Sequence, residues 1–522
     1  KKLQKFGLNT SNNSIKKKKL VNINLVDKIL NKLRLKKKRI VHCHGVFDFF
    51  HLGHLKYFRS AKKYGDYLVV SITSDQFVNK GFNRPFYKEN DRIELLSSID
   101  LIDLIVVSDS HNGEKVIEKI RPDFYVKGPD YKNNEDDITD NIYKETKLVK
   151  KYGGKVIYTN DAALSSSKLL NNHYNNLNDN QKKYQKKIKS KFTFKKIKIN
   201  LNKISFLNIL AIGETILDQY VFSESIGKSG KEPHLVIRDL KTETYAGGII
   251  SIAKHLETLT KNISIVSVMG ENKKDLTFVK KNINNTTKFD FVKKVNTPTI
   301  VKKRYIDKLT NHKLIGVYSI NDRELFTSEK NQLKSKVFKK IKKNTLIIIS
   351  DYGHGFISKK FAKQLCNKSN NIFLNTQLNA SNIGFHTLKN YNKFNSLIIN
   401  ESELRHEFKD RVTEVKKLII KLSRSIKVKN ILVTRGANGA LCYNLKDKKF
   451  YEAPAFASNI LDKVGAGDTL FAVFSVCIFA KIDIDLSLFI ASIAAAVSVE
   501  SMGNSKSIDK INLLKIIEYS LK

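Results

Sequence analysis

Ile40-Val-His-Cys-His-Gly-Val-Phe-Asp-Phe-Phe-His-Leu-Gly-His54 begins as an apolar strand and ends inside the first turn of a helix. His51 and His54 stand three apart, so on a helix they point the same way. Gly53 between them lets a phosphate approach the backbone with no side chain in the way. The helix N-terminus adds partial positive charge and free N–H groups. These features suit the extra charge on an α-phosphate that another phosphate attacks in line while pyrophosphate leaves. Positioning and charge stabilisation suffice, with no covalent intermediate. A zinc site on His42, His44, His51 and His54 is the rival reading, and it lacks the His-Glu helical spacing or cysteine partners that zinc sites use. Asp48 reads either as a cap for the turn before the helix or as a substrate ligand.

Outward from this stretch, short apolar runs alternate with amphipathic segments. Strands are predicted at 40–43, 67–72, 104–107, 124–126 and 155–158, and helices near 55–64, 91–98, 113–120 and 140–152. That alternation implies an α/β fold with a parallel sheet covered on both faces. Residues 1–35 are Lys- and Asn-rich and read as a basic tail or surface helix, so the first domain is set at 36–170. Lys, Asn and Gln dominate 171–203 with no sustained apolar period, the composition of an inter-domain linker. A second α/β section, 204–522, has predicted strands at 207–212, 263–268, 346–350, 372–375, 397–399 and 430–433, then long helices at 467–480 and 486–500.

The second section carries Asp462-Lys-Val-Gly-Ala-Gly-Asp-Thr-Leu-Phe-Ala472, with small residues directly ahead of an apolar helix. The N–H groups of Gly465, Ala466 and Gly467 can form an anion hole where a γ-phosphoryl builds up charge. Asp468 at that place cannot serve to bind phosphate, since like charges repel. Its sensible role is general base toward an attacking hydroxyl.

With 522 residues and 41% hydrophobic content, the chain can bury two or three ordinary cores. Its 94 Lys and Arg against 50 Asp and Glu give a net charge of +44. The lysines lie in scattered short runs without a nucleic-acid motif, so a compositional bias is favoured over nucleic-acid binding. The field still favours phosphorylated substrates. The four cysteines show no paired spacing, which points to a reducing, cytoplasmic setting without disulfides. No apolar run approaches membrane-spanning length, so no membrane insertion is expected.

Gly45-x-Phe-Asp-x-x-His-x-Gly-His54 resembles the signature of the cytidylyltransferase-like nucleotidyltransferases, most closely the adenylyltransferase half of bifunctional heptose-phosphate kinase/adenylyltransferases. The resemblance implies a Rossmann-like domain in which Gly45, Phe47, Gly53, Arg92 and Lys127 contact the nucleotide or its phosphates. It adds the Ser-rich turn Ser165, Ser166 and Ser167, and gives Asp48 to the substrate. Lys80-Gly-Phe-Asn-Arg84 either closes over phosphates or is an exposed loop. The Gly-Ala-Gly-Asp stretch is the signature of the ribokinase-like sugar kinases, which implies a ribokinase-like second domain. There Asp218, closing the first strand, would bind sugar hydroxyls, and the Gly247-Gly248 pair would pack against the sugar. Asn400 and Glu403 would organise Mg²⁺, through water, and Thr434 and Gly436 would lie beside ATP. Ser350-Asp-Tyr-Gly353 resembles a heptose-kinase segment near the phosphates. Ile249-Ile-Ser251 and Asn375-Thr-Gln377 depart from the family pattern, and so does the domain order, since heptose enzymes carry the kinase first.

The expected activity is therefore synthesis of a nucleotide-activated sugar. One site phosphorylates a sugar or sugar phosphate with ATP; the other joins a sugar phosphate to a nucleotide from ATP or CTP. Mg²⁺ is expected at both sites, and the family resemblance carries an expectation of a homodimer. A cytidylyltransferase for an alcohol phosphate fused to an unrelated kinase is the alternative, with a nucleic-acid-binding protein on an inherited enzyme fold behind it.

Overall fold

The computed structural model describes residues 19–78, 84–129, 141–159, 177–384, 386–457, 460–505 and 507–521. The chain divides into two compact units, one of residues 1–176 with 514–520 and 522, the other of 177–513 with 521.

The first unit is built on strands β1 (Leu20–Val21), β2 (Ile40–Gly45), β3 (Tyr67–Thr73), β4 (Leu104–Ser108), β5 (Phe124–Lys127) and β6 (Lys155–Tyr158). They form one parallel sheet in the order β1-β4-β3-β2-β5-β6. Alternate residues feed two cores, as period-2 geometry requires. Val41, Cys43, Val70 and Ile72 pack with Phe58 and Ala61 of helix α2 (Leu52–Lys62). Ile40, Val69, Leu104 and Val106 pack with Val26 and Leu30 of helix α1 (Val26–Leu35). Residues 20–35 therefore belong to this unit and are not a tail; the apolar pair one turn apart was hidden among lysines. The order reverses direction at β2, between β3 and β5, and such a switch point opens a crevice at the carboxyl ends of the strands. Helices α3 (Glu89–Ser97) and α4 (Asn141–Lys151) complete the parts that bear on the site.

The expected linker is also corrected. Within the second unit, α5 (Asp179–Lys191) and α6 (Phe194–Ile204) are capped helices. Asn178 and Gln181 form a capping box, and Thr193 caps α6. Tyr184, Ile188, Ile197, Leu201 and Ile204 are buried. Lys187 and Lys191 bond the Asp485 carboxylate at 2.7 and 2.8 Å. One buried side chain per turn is enough to dock a helix while the rest of the sequence stays polar.

The main sheet of the second unit has the order β11-β10-β7-β14-β15-β16-β17-β18-β19. Its parallel strands are β7 (Asn208–Gly213), β10 (Asn262–Met269), β11 (Lys288–Lys293), β14 (Thr345–Asp351), β15 (Ile372–Thr376), β16 (Ser396–Asn400) and β17 (Asn430–Thr434). The strands β18 (Ala440–Asn444) and β19 (Lys449–Ala453) add antiparallel. The six predicted strands of this sheet are all present. A second sheet, not foreseen, has the order β13-β12-β8-β9, from β8 (Thr215–Lys228), β9 (Leu235–Gly248), β12 (Ile300–Asp307) and β13 (Lys313–Ser319). Helix α7 (Glu401–Phe408) follows β16, and the buried helices α8 (Ala466–Phe479) and α9 (Ile484–Ser498) close the fold. No helix among the described residues is long and apolar enough to cross a membrane. All four cysteines are buried and none is in a disulfide.

Candidate active sites

In the second unit the carboxyl edge of the main sheet collects the chemistry. Gly213, Asp351 and Thr376 end neighbouring strands, and Asn400 lies in register with Thr434. Gly465 caps α8 at φ 93°, a left-handed conformation that suits glycine. A Cβ on Gly467 would meet nothing within 4 Å, so the described residues leave open space beside that position. Asp468 sits in the first turn of α8, where its Oδ1 accepts from Gln377 Nε2 at 3.1 Å and lies 3.5 Å from the Tyr352 hydroxyl. Burial, and then the charge of Asp218, push its carboxyl up to about 7. That is the range in which a general base works near neutrality. The helix is braced from behind by Thr469, whose hydroxyl meets His255 Nε2 at 3.1 Å.

Asp218 does not close the first strand, as the sequence suggested. It lies on β8 in the four-stranded sheet, paired across the ladder with Tyr245 and Lys302 and ion-paired to Arg304. Gly247 is required there because a Cβ would collide with the Asp218 carboxylate, and Gly248 adopts φ 60°. Gly247 thus makes room for the acid, while a Cβ on Gly248 would meet Glu214 O and Ile216.

Asn400 and Glu403 form a reciprocal capping box on α7. Asn400 Oδ1 accepts from Glu403 N at 2.8 Å, and Glu403 Oε2 from Asn400 N at 2.7 Å. Burial raises the Glu403 carboxyl to about 7, with Asp468's charge adding to the rise. Of the two, Glu403 senses Asp468 through charge. After β17, Gly436 at φ 55° turns the chain, and Arg435 N donates to Gly439 O at 2.8 Å.

In the first unit the rings of His51 and His54 stack with centroids 4.1 Å apart, as their spacing implied. His51 also caps α2: its Nδ1 accepts from Gly53 N at 3.0 Å, so the N–H expected to face a phosphate is held by the histidine. Phe47, at φ 48°, is buried against Phe58 and meets His54 edge-on, so its side chain serves the core. A Cβ on Gly45 would press on the Phe47 ring at 3.0 Å.

Two residues have other partners than those expected. Arg92 is buried, and its guanidinium donates to Tyr87 O, Val46 O, Thr73 O and Asp75. It clamps the loop after β2 to the end of β3 and is not presented toward phosphates. Asp48 is buried too, accepting from Arg84, Phe86 N and Tyr87 N, so it anchors residues 84–87. At the switch point, Lys127 Nζ lies 2.9 Å from the Glu145 carboxylate, which also accepts from Gly113 N at 2.7 Å and the Tyr125 hydroxyl at 2.9 Å. Burial opposes ionisation of Glu145, but Lys127, His44 and the Gly113 N–H hold it below its usual range. His42 and His44 both meet Ser71 Oγ, at 2.7 and 2.8 Å. Burial, with Lys127 nearby, lowers the His44 imidazole to about 4, so it is neutral at pH 7. The described residues contain no cluster of His, Cys, Asp and Glu that could hold a metal directly. Ser165, Ser166, Ser167 and residues 80–83 lie outside the described residues.

Residues 207–511, more than half of the chain, match the family described as pfkB family carbohydrate kinase. The chain belongs to the pfkB carbohydrate kinase family. Ahead of the pfkB domain, residues 42–172 match a family described as cytidylyltransferase-like. Among curated relatives, the bifunctional protein HldE of a Nitratiruptor species is 40% identical over 135 residues, 26% of this chain and 28% of that protein. The bifunctional protein HldE of one Helicobacter pylori strain is 37% identical over 149 residues, 28% of this chain and 31% of that protein. The matched stretch spans less than a third of these relatives' length. Among solved structures, phosphofructokinase-2 of Escherichia coli in complex with potassium aligns with TM-score 0.48 at 15% identity, over 60% of this chain and 99% of that one. Ribokinase of Thermotoga maritima aligns with TM-score 0.47 at 18% identity, over 60% of this chain and 99% of that one.

Within the pfkB domain, sequence reasoning missed several groups around Asp468. Gln377 was noted only as a departure and Tyr352 only as part of a motif. Lys302 and Arg304 went unnoticed, although their period-2 spacing puts two cations on one face of a strand. Glu214 is fully buried, accepting from Tyr352 N and His354 N at 3.1 Å each. Burial, and then the charge of Asp351, raise it to about 8.

Proposed function

We propose that the chain makes a nucleotide-activated sugar at two sites: the pfkB domain phosphorylates a sugar or sugar phosphate with ATP, and the first domain transfers a nucleotidyl group from ATP or CTP to a sugar phosphate. The observation that carries the kinase half is Asp468, a carboxylate poised near neutrality in the first turn of a helix that begins at Gly465-Ala-Gly467, with open space beside Gly467. Asp468 takes the proton of the acceptor hydroxyl as its oxygen attacks the γ-phosphorus. The N–H groups of Gly465, Ala466 and Gly467 receive the charge on the transferred oxygens. Asp218 orients the acceptor from the four-stranded sheet, Gly247 leaving the space its carboxylate needs, with Gly248 beside it. Thr434 and Gly436 line the nucleotide side.

Glu403 and Asn400 spend one oxygen pair on their capping box, yet carboxylate and amide oxygens keep further lone pairs. With no direct ligand cluster among the described residues, these groups fit Mg²⁺ held through water, the habit of this ion. When bound, Mg²⁺ neutralises triphosphate oxygens.

For the nucleotidyl half, the stacked His51 and His54 at the α2 start bear on the α-phosphate, with Lys127 at the switch point and the backbone of Gly45, Phe47 and Gly53 alongside. Arg92 and Asp48 act indirectly by shaping the loop around them. Ser165, Ser166 and Ser167 complete the triphosphate contacts in this reading. Small-molecule sugar phosphates and nucleoside triphosphates are the partners; a homodimer and a cytoplasmic setting belong to the same proposal.

The test is a panel of sugars and sugar phosphates with ATP, followed by ADP formation, and the same phosphates with each triphosphate, followed by pyrophosphate release. ADP formation dependent on an acceptor, together with pyrophosphate release dependent on a sugar phosphate, supports both halves. Absence of either removes that half.

A further inference from the structure

Tyr352 and Gln377 are the first residues past two neighbouring parallel strands, β14 and β15, whose last residues Asp351 and Thr376 lie in register. Their side chains leave the carboxyl edge of the sheet together and meet at one atom, Asp468 Oδ1. Gln377 Nε2 donates to it at 3.1 Å, and the Tyr352 hydroxyl lies at 3.5 Å. An ionised carboxylate only accepts, so the Gln377 amide presents its N–H to Asp468. Oδ2 of Asp468 has no hydrogen-bond partner among the described residues.

The main chain behind the two holders is fixed as well. Gln377 N donates to Asp351 O at 2.9 Å. Asn382, only 3% exposed, donates from Nδ2 to both Tyr352 O and Gln377 O at 2.9 Å. One buried amide thus ties together the backbones of the residues that hold Asp468, and Asn379 Nδ2 adds a bond to Tyr352 O at 2.8 Å. Gly353 at φ 71° is required beside it, because a Cβ there would lie 2.5 Å from Asn382 Nδ2. Next along the chain, Leu378 N donates to Glu403 Oε1 at 3.3 Å, so the same loop reaches the capping box of α7.

We infer that Gln377 is a positioning residue of the kinase reaction: with Tyr352 it holds Asp468 by Oδ1 and leaves Oδ2 as the oxygen that takes the acceptor's proton, while Asn382 keeps the two holders in step. The inference rests on the kinase reading of the pfkB domain and narrows its base to one atom. The hydroxyl proton passes to Oδ2 and the freed oxygen bonds the γ-phosphorus. The bond from that phosphorus to the β,γ-bridging oxygen breaks, its electron pair leaving with ADP. Gln377 gives up no proton. Holding one carboxylate oxygen stops the rotation that would exchange the two, so the base meets the acceptor already oriented. The same bond favours the ionised carboxyl, against burial and the charge of Asp218. The other groups that bear on this carboxyl are Lys302 of β12, Tyr352 after β14 and Glu403 of α7.

The experiment measures kcat, acceptor KM and the pH dependence of kcat for ADP formation, with the best acceptor of the sugar and sugar-phosphate panel. It uses the full chain, Gln377→Met and Gln377→Lys. Gln377→Met keeps the volume and loses the donor. It is expected to lower kcat by about tenfold to a hundredfold, the range for a lost hydrogen bond to a charged group, with acceptor KM little changed. Its kcat midpoint should lie at higher pH than that of the unmodified protein, because the ionised carboxylate has lost a donor. Gln377→Lys should move the midpoint to lower pH, because an ammonium favours the ionised form. Loss of folded protein scales kcat and leaves the midpoint where it was, so misfolding does not imitate opposite shifts. A midpoint that fails to rise in Gln377→Met or to fall in Gln377→Lys, or full kcat in Gln377→Met, overturns the inference. Absence of acceptor-dependent ADP formation by the unmodified protein overturns the kinase reading itself, which is a distinct result.

Discussion

Lys313 Nζ on β13 donates to Asp462 Oδ1 at 2.8 Å, joining the four-stranded sheet to the residue that opens the Gly-Ala-Gly turn. The Asp462 carboxylate also accepts from the Tyr220 hydroxyl, from Val464 N at 3.1 Å and from Gly503 N at 3.1 Å. Burial opposes its ionisation, but Lys313, Tyr220 and the two N–H groups hold it below the usual carboxylate range. One buried acid thus ties the sheet that carries Asp218 to the turn that carries Asp468.

Lys313→Met is expected to cost about 1–2 kcal/mol of stability, at the low end for a charge-assisted bond because Lys313 is partly exposed. It should raise KM for the acceptor more than it lowers kcat, since Asp468 and the turn remain. Urea unfolding with steady-state kinetics checks both. Unchanged acceptor KM would remove Lys313 from the coupling.

Asp468→Asn is expected to lower kinase kcat by about 10²–10⁴-fold, the usual worth of a positioned general base. Pyrophosphate release at the first domain should stay near normal. In the unmodified protein kinase kcat should climb with pH through about 7 as Asp468 loses its proton. A flat profile across that range would contradict the base role.

His54→Ala is expected to do the reverse, lowering pyrophosphate release by about 10²–10³-fold while sparing ADP formation. Parallel loss of both activities would show that the two sites are not separable.

Arg92→Ala should act on folding before it acts on catalysis. Loss of a buried guanidinium that serves Val46, Thr73, Tyr87 and Asp75 is expected to destabilise the first unit by about 3–5 kcal/mol. A variant of full stability with only a raised nucleotide KM would return Arg92 to the phosphate role.

Asp468, Glu403 and Glu214 all have carboxyls raised in the fold, to about 7, 7 and 8. The folded protein then holds protons that the unfolded chain has already released, so stability falls as pH rises from about 4.5 to 8. The urea midpoint of the second unit should therefore drop between about pH 5 and pH 8. A flat or rising midpoint over that interval would contradict proton retention by these three groups.

Much of this architecture was legible in the order of residues. Buried parallel strands are continuous apolar runs, and a run such as Leu346-Ile-Ile-Ile-Ser350 needs no neighbour to announce itself. The Gly-Ala-Gly-Asp turn and the His-x-Gly-His stretch were equally plain, because glycine and histidine at helix starts have few other uses. What escaped were elements whose apolar surface is sparse. Strands β8 and β9 run 14 residues each, with five exposed at the end of β8 and six in β9, and polar residues interrupt their apolar runs. Helices α5 and α6 bury about one residue per turn beneath a crowd of lysines.

Strand positions, helix starts and the chemical types at both sites follow from local composition, since each depends on residues within a few places of one another. The partners of charged groups do not. Arg92 meets Val46, Asp218 meets Arg304 and Asp462 meets Lys313 across separations of 46, 86 and 149 residues. A charge buried without its counterpart would be too costly to keep, but which counterpart it finds depends on how distant strands are laid side by side, and that emerges on folding.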